Sequence, residues 1–157
     1  MASSVFLPHN HQHCVQDALR QADTYCEEQG VRLTPLRRRV LELIWEEHKP
    51  IGAYDLLARI ASEGFNSAPP TVYRTLDFFI QHGLIHKVES LNAYIGCNHE
   101  QGSHTSVFFI CQNCGVTEEL QNPAIEGQLA LQAAGMGFQI NHPTLEIKGL
   151  CKACRHA

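Results

Sequence analysis

Long apolar runs are missing from this chain: across its 157 residues the longest unbroken hydrophobic stretch is Val107 to Cys111, five residues. A helix that crosses a bilayer needs ~20, so a membrane protein is excluded. No charged-then-apolar leader opens the sequence, which predicts a cytosolic, cytoplasmic protein. Charge is sparse, at 18% of residues, and the net value of −4 with neutral histidines does not describe a molecule that binds polyanions over its whole surface. Catalytic signatures are also lacking. There is no HExxH helix, no GxSxG elbow and no HxE paired with PCxxC, so the metalloprotease, esterase and zinc deaminase classes lose their working residues and no enzyme is expected. With 44% hydrophobic residues the composition is ordinary for one compact domain or two small ones.

Cysteine and histidine are plentiful, at seven and ten. An odd number of thiols in a reducing compartment argues against a disulfide framework and for metal. Cys111-Gln-Asn-Cys114 and Cys151-Lys-Ala-Cys154 are two CxxC pairs. Each pair presents two thiolates to one ion at ~2.3 Å, and two pairs close the tetrahedron of a structural zinc site. A redox CxxC would need a single pair at a helix start in a βαβ setting.

The order of elements predicts an α+β fold in two parts. Val15, Ala18, Leu19, Ala22, Tyr25 and Cys26 make one helical stripe from Cys14 to Gln29, closed by Gly30. Thr34 and Pro35 open a second helix that buries Leu36, Val40, Leu43 and Ile44, and Ala53 to Ser62 forms a third around Leu56, Leu57 and Ile60. A fourth, capped by Ser67 and started by Pro69 and Pro70, buries Val72, Leu76, Phe79 and Ile80 and leaves Arg74, Phe78 and Gln81 outward. Leu84 to Val88 and Ala93 to Cys97 then read as a hairpin, which completes a winged helix-turn-helix over residues 1–97. Residues 98–105 are polar and read as a hinge. Residues 106–157 form a small α/β unit: strands at Ser106 to Cys111 and Val116 to Leu120, a helix from Pro123 to Ala134, and one or two strands within Phe138 to Ile147. So small a unit needs metal or a second copy for stability.

Within the first part, Arg32, Arg37, Arg38 and Arg39 place a local +4 between Val31 and Val40 with no acid. A solvated helix face is the simple reading. In a winged helix the last helix enters the major groove, where outward Arg74 can bond guanine N7 and O6 together, flanked by Thr71 and Tyr73. Arg37, Arg38, Arg39 and Lys87 would then neutralise phosphates and set register. His86, Cys97, His104 and Glu118 supply two nitrogens, a sulfur and an oxygen across the hinge, although spacing alone favours packing roles for them. The cluster His9, His11, His13 and Cys14 is either another metal site or a mobile polar arm leading into the first helix, the latter preferred, and Cys26 reads as a core residue. His99, Glu100 and His142 are either a further metal site or solvated and core positions, the latter preferred.

Arg32-Leu-Thr-Pro-Leu-Arg37 with Val40-Leu41, Pro70-Thr-Val-Tyr-Arg74-Thr-Leu76, Gly83-Leu-Ile85 and the two CxxC pairs together resemble the ferric uptake regulator superfamily across nearly the whole chain. Ala53-Tyr54-Asp55-Leu56-Leu57, Pro69-Pro70, His86-Lys-Val-Glu-Ser90 and His104-Thr-Ser106 look like its zinc-sensing branch. The resemblance implies a homodimeric, zinc-dependent repressor that binds double-stranded operator DNA, with no small organic substrate. It implies two zinc ions per chain: a structural one on the four CxxC thiols and a regulatory one on His86, Cys97, His104 and Glu118. It also adds Tyr54 as a DNA contact. A thiolate among imidazoles suits zinc, whereas an iron or manganese sensor prefers nitrogen and oxygen alone.

Overall fold

The computed structural model describes residues 4–65, 68–98 and 105–156. Four helices come first: α1 (His11–Gln29), α2 (Pro35–Trp45), α3 (Ala53–Ser62) and α4 (Pro69–Gln81). Two short strands follow, β1 (Ile85–Val88) and β2 (Ala93–Gly96), and then β3 (Ser106–Cys111), β4 (Thr117–Leu120), α5 (Pro123–Gly135), β5 (Thr144–Gly149) and α6 (Lys152–Arg155).

Local chemistry sets most of these boundaries. Helix α1 starts at His11 rather than Cys14 because the Asn10 side chain accepts from the Gln12 amide and caps it. It stops at Gly30, which takes φ 64° and lets its own N–H and that of Val31 satisfy the last carbonyls. In α2 the Thr34 hydroxyl accepts from the Arg37 amide behind Pro35, as the sequence predicts. Helix α4 differs in detail. Its N-cap is Ala68, with no side-chain bond, and Ser67 lies outside the described residues. Pro69 and Pro70 remove two of the amides that a cap would serve.

The helical core is Val40, Leu41, Ile44, Leu56, Ile60, Val72, Leu76, Phe79 and Ile85, all fully buried. Thr75 completes the α4 stripe, while Ile80, expected inside, is 41% exposed. At 100° per residue it sits ~80° around the helix from Val72, at the edge of the buried face. Phe78 is half-buried rather than outward: the Arg37 guanidinium lies 3.7 Å above its ring centroid.

Strands β1 and β2 pair antiparallel, with His86 opposite Ile95, and Asn92 takes φ 46° to turn the chain between them. In the second sheet, ordered β4-β3-β5, β3 pairs antiparallel with β4 and parallel with β5. The last strand begins only at Thr144, so Phe138 to Asn141, read as strand from composition, are irregular. A second apolar cluster joins Val88 and Ile95 of the hairpin to Phe108 and Ile110 of β3. The amide of Ser90, between β1 and β2, donates to both carboxylate oxygens of Glu146 on β5 at 3.1 and 3.3 Å. Helix α5 buries only Ala133.

Trp45 closes the helical core against β2. A Cβ on Gly96 would come within 2.1 Å of its indole, so glycine is required for close approach. Gly96→Ala is expected to destabilise the fold by about 1–3 kcal/mol through overpacking, read as a lower midpoint in thermal or urea denaturation. The Ser90 hydrogen bonds hold the Glu146 carboxyl below its ordinary value of 4.5. A depressed carboxylate stabilises above the unfolded value and loses that effect as pH falls through the folded one. Amide protection at Ser90 is therefore expected to hold from pH 7 to about 5 and to fall on further acidification, and Glu146→Gln to lower it already at pH 7.

Candidate metal centres and nucleic-acid interface

Two tight turns bring the four CxxC sulfurs together. The first follows β3, where the Gly115 amide bonds back to the Cys111 carbonyl and Gly115 adopts φ 78°. The second is the start of α6, with the Cys154 amide on the Cys151 carbonyl at 3.0 Å. Pairing of β5 with the parallel β3 sets the two turns side by side, Cys111 opposite Gly149. The sulfurs of Cys111, Cys114, Cys151 and Cys154 all lie within 4.8 Å of one another. Cys114 Sγ and Cys151 Sγ are 3.8 Å apart, the edge length of a tetrahedron with ~2.3 Å zinc–sulfur bonds. Backbone amides of Cys114 and Cys151 aim at Cys111 and lower its thiol to about 6. Cys154 is pushed up to about 11: a hydrogen bond from Asn113 favours its thiolate, but the shared protons of Cys151 and its fellow sulfurs, with burial, outweigh it. Four thiolates at this separation repel, and a divalent cation at the centre is the charge that lets all four ionise.

The second constellation joins the hairpin to β4. His86 Nε2 on β1 is 3.1 Å from Glu119 Oε1, and Cys97, directly after β2, places its sulfur within 4.8 Å of both. The carboxylate that the structure brings to His86 and Cys97 is that of Glu119, not the expected Glu118. Side chains alternate along a strand, so adjacent residues of β4 point to opposite sides. Glu119, opposite Phe108 in the register, faces inward with its side chain 1% exposed. Glu118 faces the other way and accepts from the Ser4 hydroxyl at 2.5 Å. A carboxylate removed from water requires compensating charge, and an imidazole and a thiol beside it make a donor set that fits zinc. His104, the fourth expected ligand, lies outside the described residues, as do His99 and Glu100; His142 is exposed at the end of the loop before β5.

A third group takes up His9, His11 and Cys14 of the N-terminal cluster, whose preferred sequence reading is a polar arm, and adds His48 to them. The N-terminal segment is folded back as an ordered contact rather than an arm reaching into solvent. His9 Nε2 lies 2.7 Å and His11 Nδ1 3.0 Å from His48 Nε2, with Cys14 Sγ in the same group. His48 follows the end of α2, and burial together with the two neighbouring imidazoles lowers its pKa to about 4. Among the described residues these three are the groups able to hold a metal. Glu119 and His48 are the members that sequence reading missed. Strand parity would have admitted Glu119 once the register was known, whereas nothing in the local sequence marks His48.

Helix α4 presents Tyr73 and Arg74 to solvent, with Thr71 half-buried, and Tyr54 on α3 is 83% exposed. Among the described residues Arg74 has no ion-pair partner. The arginines of α2 are committed differently. Arg38 is clamped by both oxygens of Asp23 on α1. Arg39 pairs with Glu63 at 2.7 Å and Glu42 at 2.8 Å, and these contacts raise its pKa further. Arg37 covers Phe78 and donates to the Arg32 carbonyl at 2.6 Å. Two of the four charges that read as a bare +4 are thus matched by carboxylates from α1, α2 and the end of α3. Lys87 on β1 lies 3.6 Å from Glu89.

Comparison with known proteins agrees with this architecture. The chain is 44% identical over 140 residues to the zinc uptake regulation protein of Escherichia coli (strain K12), covering 88% of this chain and 82% of that one. A solved zinc uptake regulator complexed with zinc and DNA superposes with a TM-score of 0.84 at 43% identity, covering 90% and 95% of the two chains. The protein XcZur has been solved in two forms: holo, with a TM-score of 0.81 at 42% identity over 88% of this chain and 97% of that one, and apo, with 0.54 at 41% over 90% and 97%. At equal sequence likeness, the arrangement of this chain follows the holo form. The profile described as "Ferric uptake regulator family" matches residues 28–148, from the end of α1 to the end of β5, and on that match the chain belongs to the ferric uptake regulator family.

Proposed function

We propose that this protein is a zinc-responsive transcriptional repressor of the cytoplasm, which as a zinc-loaded homodimer binds palindromic operator DNA and represses zinc uptake genes. The observation that carries this reading is the convergence of His86, Cys97 and Glu119 between the hairpin and β4. The likeness to a zinc uptake regulator solved with zinc and DNA supports it. Residues 1–97 act as the reading head, 98–105 as the hinge and 106–157 as the pairing unit. Two ions bind per chain, a permanent one on Cys111, Cys114, Cys151 and Cys154, and an exchangeable one on His86, Cys97, His104 and Glu119.

The exchangeable ion supplies a cross-link that neither half can make alone. His86 and Cys97 come from the winged helix and Glu119 from the second sheet, so only one relative orientation satisfies them together. A shift from 1:99 to 99:1 in favour of that orientation requires about 5.5 kcal/mol of preferential binding. The closer likeness to holo than to apo XcZur accords with such a switch. Dimerisation accounts for the bare apolar surface of the second unit, where Leu131, Met136 and Phe138 are each 65% exposed or more.

In the bound state Arg74 reads a guanine edge, with Thr71 and Tyr73 beside it and Tyr54 on an adjoining contact. Arg37, Arg38, Arg39 and Lys87 position the phosphates, Arg38 and Arg39 by sharing their present carboxylate partners or exchanging them for phosphate oxygens.

Arg74→Ala is expected to cost about 1–3 kcal/mol on cognate DNA and to relax base preference, whereas Arg38→Ala weakens cognate and random DNA alike and flattens the salt dependence. Equal losses on both DNAs for both variants, in fluorescence anisotropy titrations, would refute this division of labour. Cys97→Ser and Glu119→Gln are expected to keep the dimer and the four-thiolate ion yet abolish zinc-stimulated operator binding. Glu118→Gln is expected to retain it, so a gel-shift titration with buffered zinc separates the two carboxylates directly.

A further inference from the structure

The N-terminal histidines take no part in the function proposed above, yet their hydrogen bonds are those of ligands set up for a cation. His9 Nδ1 is 2.9 Å from the Leu7 carbonyl, and His11 Nε2 is 2.5 Å from the Glu46 carbonyl. A carbonyl only accepts, so each of those ring nitrogens carries the proton. In a neutral imidazole the other nitrogen then presents a bare lone pair. Those lone pairs, on His9 Nε2 and His11 Nδ1, both point at His48 Nε2, from 2.7 and 3.0 Å. A single nitrogen has at most one proton to offer two acceptors. One contact is therefore lone pair against lone pair unless a positive centre lies between the rings. Fixing each histidine through its far nitrogen to a backbone carbonyl is also how proteins orient metal-binding imidazoles.

We propose that His9, His11, His48 and Cys14 form a further zinc site, closed by three imidazole nitrogens and one thiolate. All four ligand atoms already lie within 4.8 Å of one another. The donor set of borderline nitrogen and soft sulfur selects zinc over magnesium or calcium. The site fastens the start of α1 to the loop that follows α2. That loop continues the connection inward, because the His48 carbonyl accepts from the Thr117 amide of β4 at 2.8 Å, two residues before Glu119. The cavity beside the cluster reaches Asn98, next to Cys97. An ion here thus braces the strand that carries Glu119.

The test is metal counting on the full-length chain after equilibrium dialysis against buffered zinc. Wild type is expected to hold three ions per chain and His9→Ala/His11→Ala two. His13→Ala, in the same segment but outside the cluster, is expected to keep all three. Cys97→Ser loses a different ion, so a count that falls only in the His9/His11 variant would sink the proposed regulatory site and leave this one standing. Cobalt added to Cys97→Ser protein that retains zinc on the four CxxC thiols is expected to show tetrahedral absorption with a sulfur charge-transfer band in the near ultraviolet. Cys14→Ser in that background removes the band and keeps the ligand-field absorption. An unchanged count in His9→Ala/His11→Ala, or an equal loss in His13→Ala, overturns the site; persistence of the band without Cys14 overturns its ligand set.

Discussion

A carboxylate held away from water is the constraint around which the two halves of this molecule are arranged. Glu119 sits at the inner face of β4, where it is stable only beside positive or polarisable partners, and the partners come from the hairpin that ends the helical part. The apolar cluster of Val88, Ile95, Phe108 and Ile110 lies at the same junction. Dispersion forces bring the surfaces together without dictating one angle between them, whereas a shared ligand set is directional. Specificity of orientation therefore belongs to the polar group, and the apolar contact supplies adhesion.

Pairing of charge explains the other large departure from a naive reading. Four arginines within ten residues form a basic stripe when the chain is viewed as a line, but folding surrounds three of them with Asp23, Glu42, Glu63 and the ring of Phe78. These contacts are partly exposed, so each contributes little to stability and can be exchanged at small cost. Arg74, in contrast, stands on an exposed helix face. The difference separates a residue ready to make a new directional contact from Arg38 and Arg39, which trade one anion for another.

Three groups of candidate ligands occupy three kinds of scaffold. The four thiols sit on tight turns next to paired strands and are held at tetrahedral spacing by local backbone bonds. The His86–Cys97–Glu119 group depends on the relative placement of two sheets, and the His9–His11–His48 group on the docking of a short segment.

Much of this was legible in the residues themselves. Helix starts and stops followed from Thr34, Pro35, Gly30 and the apolar periodicity, because caps and left-handed glycines act within a few residues. The CxxC pairs pointed by spacing alone to four sulfurs at one place, where the structure brings them. The exposed side of α4 was legible as far as Arg74, though not the partial burial of Phe78, which depends on Arg37 arriving from another helix. What the sequence could not decide was which of two adjacent glutamates faces inward, since a shift of one residue in a strand reverses every side chain and the register is set by pairing with β3. Nor could it bring His48 to His9 and His11. Those residues are separated by nearly forty positions, and only the packing of α1 against α2 makes them neighbours. The sequence by itself determined the elements and the turns that carry the CxxC thiols, whose physics is local; tertiary structure alone chose the partners across distance, because register and docking are properties of surfaces that exist only once the chain has folded.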